Sequence, residues 1–391
     1  MSNPQTADLP APTFDEFAPT SYEEWRKAVD KFLKGAPFEK RLVTKTYENI
    51  DLQPMYRQED IADLPQIDGL PGFAPYARGA SPLGYVGGSW DVAQEIPCAT
   101  PAAFNIALRA DLERGQNAVN LILDHPTLHA VDADQAAAEE IGKDGLSISS
   151  LADLAQALEG VDLEATPIYV QANTSALSFT ALLAALVQQQ GKSLAKLRGA
   201  IGMDPLGHLV CHGHLPRDLD GVYDAMAQLA GWAKANAPQL QTITVQGHPY
   251  HNGGASTTQE LAFALATAVE YLRAMQARGL SIDDTAPRIR FAFSIGSNFF
   301  MEIARLRAAR MLWAKIVQAF GGGGEAQKMR IHARTSSWNQ TVYDPHVNLL
   351  RGTTEAFSAI VGGCDSLHIS PFDELVRTPD DFSRRVARNT H

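Results

Sequence analysis

Hydrophobic and polar positions along this chain switch repeatedly between two periods. The pattern is clearest from Arg288 to Ser337, RIRFAFSIGSNFFMEIARLRAARMLWAKIVQAFGGGGEAQKMRIHARTSS. Arg288–Gly296 is β-rich and apolar enough to predict a strand buried on both faces. Asn298 can cap a following helix, whose apolar face is supplied by Phe300, Ile303, Ala304, Leu306, Met311, Leu312 and Ile316. After a Gly-rich helix exit, Met329–Ser337 predicts a second strand. The same alternation starts at Gly88, with strands expected at 89–96, 117–123, 166–172, 197–203, 241–247, 288–295, 329–335 and 366–370. Helices are expected between them at about 100–114, 151–159, 175–190, 220–236, 256–278, 298–320 and 346–361.

Eight strand–helix units match a closed (β/α)8 TIM barrel better than an open doubly wound sheet. An open sheet would carry a phosphate fingerprint at its first βα turn, and Thr100–Asn105, TPAAFN, has none. A barrel binds its ligands at the C-terminal strand ends, and His332-Ala-Arg334-Thr335-Ser336-Ser337-Trp338 is the polar text expected there. Upstream, residues 1 to about 20 are Pro-rich and polar, which predicts a flexible or partner-wrapping arm. Ser21 and Glu24 have capping-box spacing, Trp25, Val29, Phe32 and Leu33 share a face, and Gly35 sits where a helix ends, so a helix is expected over 21–34. Residues 36–87 read as an extended lead-in. The expected organisation is therefore an N-terminal arm and helix, 1–87, and a barrel, 88–391, whose last helix starts near Pro379 and is still helical in pattern at His391.

Composition narrows the partners. The 391 residues carry 33 Lys and Arg against 44 Asp and Glu, a net charge of −11, which argues against nucleic acid or an anionic membrane. Cys98, Cys211 and Cys364 are far apart and form no CxxC pair, so a reducing cytoplasm fits. The start has no signal-peptide pattern and no apolar run is of bilayer-spanning length.

Candidate chemistry is sparse. His208-Leu-Val-Cys211-His212-Gly-His214 concentrates zinc-type ligands. On an extended segment, adjacent Cys211 and His212 would point apart, so a hydrogen-bonded loop cluster is the favoured reading. His208, Cys211, His212 and His214 remain weak metal candidates for a metal-dependent barrel enzyme. Arg305, Arg307 and Arg310 read as the outer or flanking face of a barrel helix, and no GxSxG elbow suggests a hydrolase.

Longer blocks say more. PFEKRLVTKTYENIDLQPMY, HNGGASTTQELAFALATAVEYLRA, SIGSNFFMEIARLRAARMLWAKI, RTSSWN, SLHISPFDE and DDFSRRVARNT occur in order, and with them the chain resembles the methylmalonyl-CoA mutase family from roughly residue 17 to 391. The resemblance implies a barrel that threads acyl-CoA along its axis and a separate Rossmann-like module that lowers adenosylcobalamin onto the mouth. Homolysis of the cobalt–carbon bond there starts a radical rearrangement of methylmalonyl-CoA to succinyl-CoA.

Departures from the family pattern fall on its site. Aligned on Trp90, Glu95 stands where the catalytic subunit has a Tyr that helps trigger homolysis. His248-Pro249 replaces a catalytic Tyr-His pair, and proline has no side-chain donor. Gly202 replaces a substrate-contacting Gln and Gly88 a CoA-facing Arg. Arg330 and His332 match mouth positions, whereas Arg334 stands where Gln is usual, leaving these three as the cofactor-side candidates. The pattern resembles the small, non-catalytic subunit of the bacterial heterodimeric enzyme. It implies no catalytic residue here, no C-terminal cobalamin-binding domain on this chain, and adenosylcobalamin and acyl-CoA held by a larger catalytic partner subunit. The alternatives are an active acyl-CoA mutase barrel of altered specificity and the metal-dependent enzyme above.

Overall fold

The structure, a computed structural model, describes residues 20–391, and the Pro-rich arm lies outside them but for Thr20. The described residues form two compact units, 20–63 and Leu64–His391. In the first, the Ser21 hydroxyl accepts from Glu24 N at 3.2 Å and the Glu24 carboxylate accepts from Ser21 N at 2.9 Å, starting a helix over Tyr22–Leu33. Lys34 and Gly35, at φ 49° and 87°, end it in the left-handed region. Trp25 meets Phe38 edge-on at 6.2 Å and the Arg26 guanidinium lies 3.7 Å over the same ring. No residue of this helix is buried, and Phe32 is 82% exposed.

The second unit contains the barrel. Its strands are β1 (Asp91–Val92), β2 (Val119–Leu121), β3 (Ile168–Gln171), β4 (Gly199–Met203), β5 (Leu240–Gln246), β6 (Ile289–Ile295), β7 (Arg330–Thr335) and β8 (Ser366–His368). They pair in parallel in the order β2-β3-β4-β5-β6-β7-β8-β1. One bridge, from Glu95 just beyond β1 to Asn120 of β2, closes the ring. At this seam side-chain amides stand in for much of the backbone ladder. Val92 N donates to Asn117 Oδ1 at 2.7 Å, and Asn120 Nδ2 and Gln116 Nε2 donate to the carbonyls of Ala93 and Gln94 at 2.8 and 3.2 Å. That is why β1 is so much shorter than the expected 89–96.

Strand alternation divides the barrel into an apolar outside and a polar inside. Ile289, Phe291, Phe293 and Ile295 of β6 belong to the large apolar core, while Arg290, Ala292 and Ser294 alternate with them. The whole strand is buried, but its second face is not apolar as expected. The helix that follows, Phe299–Ala319, also differs from the periodicity reading. It buries Ile303, Leu306, Ala309, Trp313 and Val317 and leaves Phe300 80% exposed, because its inward face carries charge that pattern reading assigned outward. Arg305 and Arg310 are both buried. Arg310 donates to the carbonyls of Tyr76, Ala77, Gly362 and Gly363, tying the lead-in to the end of helix Val347–Gly362. No helix among the described residues is long and apolar enough to cross a membrane.

Among the short helices not expected are His125–Leu128, Pro205–His212 and His248–Asn252. All three stand at C-terminal strand ends, and all carry histidine. The first two are capped by fully buried aspartates, Asp124 and Asp204, which accept from Thr127 N at 3.0 Å and Gly207 N at 3.1 Å. Pro lies within the first two positions of each of the three.

Candidate functional site

At the C-terminal mouth a cavity of about 290 Å³ is lined by, among others, Glu95, Tyr169, Gln171, Asn173, His248, Arg290, His332 and Arg334. Glu95 follows β1, and its carboxylate faces Arg334 Nη1 at 3.0 Å; Arg334 Nη2 donates to Glu374 Oε1 at 2.6 Å. One guanidinium is thus shared by two carboxylates. The pair Glu95–Arg334, with Ile122, is shared between the cavity and a cleft of about 760 Å³ also lined by His368, Pro371 and Glu374.

The three imidazoles at the mouth are held neutral. Glu95 N donates to His368 Nδ1 at 3.2 Å, so His368 carries its proton on Nε2, which lies 3.4 Å from Glu95 Oε2. Burial, then the nearby Arg334, lowers its pKa to about 3. His248 Nδ1 is 2.7 Å from Ser294 Oγ, and burial with the same Arg334 charge lowers its pKa to about 3. Arg290 Nη2 donates to Ser366 Oγ at 2.6 Å, which leaves the Ser366 hydroxyl to donate to His332 Nδ1 at 3.0 Å. Burial, with Arg290 beside it, puts His332 well below the ordinary histidine value. None is poised to act as a base near neutral pH.

Beneath the mouth the Arg290 guanidinium lies 3.8 Å over the Tyr169 ring, whose hydroxyl donates to Asp91 Oδ2 at 2.5 Å. Gly202 is buried in β4, and a Cβ there would come within 1.9 Å of Thr244 Oγ1. Thr244 occupies the space a longer side chain at 202 would need. Pro249 lies in the first turn of His248–Asn252 and does not line the cavity. Arg330 corrects an expectation: it opens β7, at the strand end opposite the mouth, is exposed, and faces Asp365 at 3.4 Å.

The segment His208–His214 is corrected too. His208 and His212 lie one turn apart on helix Pro205–His212, not on an extended segment, because Asp204-Pro205 starts a helix and Gly213, at φ 75°, ends it. His208, Cys211 and His212 line the cavity; exposed His214 does not. Among the described residues no three His, Cys, Asp or Glu side chains stand converged on a metal position.

Behind the mouth, three of the blocks singled out in the sequence meet in one charge network. Glu260 pairs with Arg305, accepts from Ser294 N at 3.1 Å and lies 3.3 Å from His251 Nδ1. Arg305 also pairs with Glu302 at 2.5 Å. His251 Nε2 is 2.6 Å from Ser336 Oγ, and Ser336 N donates to Glu355 at 3.1 Å. The network holds the β5, β6 and β7 loops together. Sequence reading missed His368, Glu374, Arg290 and Tyr169. The alternation Arg290-Ala292-Ser294, His332-Arg334 and Ser366-His368 was the available signal.

A profile described as methylmalonyl-CoA mutase matches residues 45–391. Methylmalonyl-CoA mutase of Rhizobium meliloti is 35% identical over 370 residues, 94% of this chain and 52% of its own length. In Streptomyces virginiae, a protein named methylmalonyl-CoA mutase small subunit is 36% identical over 96% of this chain and 57% of its own length. The large subunit there is 34% identical over 95% of this chain and 50% of its own. The chain spans about half the length of the curated relatives it matches.

Proposed function

The chain belongs to the methylmalonyl-CoA mutase family, and from that premise we propose that it is the small, non-catalytic subunit of a two-subunit adenosylcobalamin-dependent methylmalonyl-CoA mutase. The observation that carries this reading is the internal pairing of the mouth's polar groups. Glu95, the residue in the triggering position, is tied to Arg334, and His248 to Ser294. Gly202 offers no side chain, and Thr244 fills its space. In this family adenosylcobalamin supplies the radical, and the groups gathered here do not fit that chemistry: the imidazoles of His248, His332 and His368 bond to protein neighbours and the Glu95 and Glu374 carboxylates to a guanidinium. A cavity of about 290 Å³ is at the lower edge of small-ligand sites, which start at about 300 Å³, and is far too small for an acyl-CoA chain. Substrate and cofactor then belong to a larger homologous partner, and this barrel supports it.

A second reading, an acyl-CoA mutase of altered specificity, is favoured by one feature. The Glu95–Arg334 pair, with Ile122, lines both cavities, so parting it would widen the way between them. Identity to small-subunit, large-subunit and undivided relatives is nearly equal and favours neither reading. The test is turnover of methylmalonyl-CoA with adenosylcobalamin by the isolated chain and by the chain co-expressed with a larger homologue from its own genome. The proposal expects turnover only from the co-purified pair. Turnover by the single chain would replace it with the second reading.

A further inference from the structure

We propose that the corner of the mouth between the loops after β2 and β4 is a binding site for one divalent transition-metal ion of the zinc type, held by His129, His208, His212 and His214. Two loops about 80 residues apart in the chain bring these rings together. Centroid separations are 5.2 Å for His129–His208, 4.3 Å for His208–His212, 6.2 Å for His129–His214, and 6.3 Å for both His129–His212 and His208–His214. Imidazoles at about 2.0–2.1 Å from a tetrahedral ion place their ring centroids about 5 Å apart, so these five separations bracket that of a coordinated cluster, while the sixth pair, His212–His214, must draw together.

Ring orientation supports the same assignment. His129 Nδ1 lies 2.8 Å from the His125 carbonyl and His214 Nδ1 lies 3.0 Å from the His212 carbonyl. Donating there fixes the tautomer and leaves Nε2 of each as a free lone pair, the backbone-carbonyl arrangement common behind metal-bound histidine. Nε2 of His129 and Nε2 of His208 are both buried without a hydrogen-bond partner, and His208 is only 4% exposed. Buried polar nitrogens are nearly always partnered, and an ion would partner both at once. Asn173 Nδ2 donates to His208 Nδ1 across 3.5 Å, which puts the His208 proton on Nε2; a contact this long is weak enough to yield, so that Nε2 gives up its proton as the ion binds.

The rings are gathered but not yet converged, so binding requires them to turn about their side-chain torsions, and exposed His212 and His214 can do so. The supporting turns are already fixed by the buried caps Asp124 and Asp204. Because His208 and His212 line the mouth cavity, the ion would staple the two loops at its rim. Nothing in this depends on whether the chain is catalytic.

The test uses the full-length chain without a histidine tag, stripped with a chelator and titrated with Zn²⁺ by calorimetry, with bound metal counted by mass spectrometry. Co²⁺ in place of Zn²⁺ gives a second readout, the strong visible absorption of four-coordinate cobalt. The expected result is one ion per chain. Both the affinity and the cobalt spectrum should be lost in His212→Ala/His214→Ala, by more than the about 10–100-fold that follows removal of a mere outer-shell partner. These two side chains are exposed, so the fold should survive, with circular dichroism as the check; His129→Ala supplies the buried arm. His346→Ala, at a 78% exposed histidine elsewhere, should bind as the parent does. Absence of stoichiometric binding, or binding that His212→Ala/His214→Ala leaves unchanged, would overturn the proposal.

Discussion

Glu355 reports how much the local environment, and not the residue type, sets chemistry in this barrel. Burial pushes its pKa up to about 8 despite hydrogen bonds from Asn339 Nδ2 and Ser336 N. In the unfolded chain it titrates near 4.3, so between about pH 4.3 and 8 the folded state holds the extra proton. Its contribution to stability is therefore complete below the unfolded value and is lost as pH rises through about 8, with a slope of at most about 1.4 kcal/mol per pH unit. Glu355→Gln should flatten that fall, measured as urea midpoints at several pH values between 5 and 8.5. If the slope is the same in parent and variant, Glu355 is not the group. Gly202 makes a steric prediction. Gly202→Ala drives a Cβ into Thr244 and should cost about 1–3 kcal/mol. Combining it with Thr244→Gly should recover part of that loss, visible as coupling in a double-mutant cycle of urea denaturation.

Among the elements, the lead-in is clamped by buried Arg310, beside hydrogen bonds from the Tyr76 and Tyr85 hydroxyls to the Gly324 and Cys364 carbonyls. Arg310→Met keeps the packing stem but leaves the carbonyls of Tyr76, Ala77, Gly362 and Gly363 without their donor. An unsatisfied buried group costs about 1–3 kcal/mol, so several at once should lower stability by about 3 kcal/mol or more. Hydrogen exchange should speed up first around Tyr76 and Ala77; uniform loosening of the whole barrel would show that the clamp is not local. The β1–β2 seam fails differently, because it rests on amide side chains. Asn120→Ala removes one hydrogen bond to Ala93 O and the expected cost is only about 1 kcal/mol, read from the thermal midpoint.

For the whole molecule, the proposed role gives an asymmetric expectation. Glu95→Tyr with Pro249→His restores two residue types of the catalytic pattern, yet the activity of an assembled pair should not change if, as proposed, the chemistry belongs to the partner. Deleting residues 1–35 should weaken assembly, measured by analytical ultracentrifugation; the exposed Phe32 on helix Tyr22–Leu33 is apolar surface that a partner could cover. How much of this was legible differs by kind. All eight strands and the capped N-terminal helix could be read from the text, since Ser21, Glu24 and the alternation from Gly88 onward are local signals of backbone preference. The family could be read as well, because ordered blocks of identity survive in one dimension. The inside of the barrel could not. Arg305 and Arg310 looked like a surface stripe, since periodicity counts charge as polar and cannot see that Glu260 or the Tyr76 carbonyl will meet it. His125 and His129 went unnoticed beside His208 because their neighbours come from another loop. The sequence by itself determined the barrel and its ancestry, which follow from short-range propensity and pattern. Only the tertiary structure decided which charges pair, which histidines gather and how the mouth's polar groups are tied, because Coulombic and hydrogen-bond partners are set by distance in space.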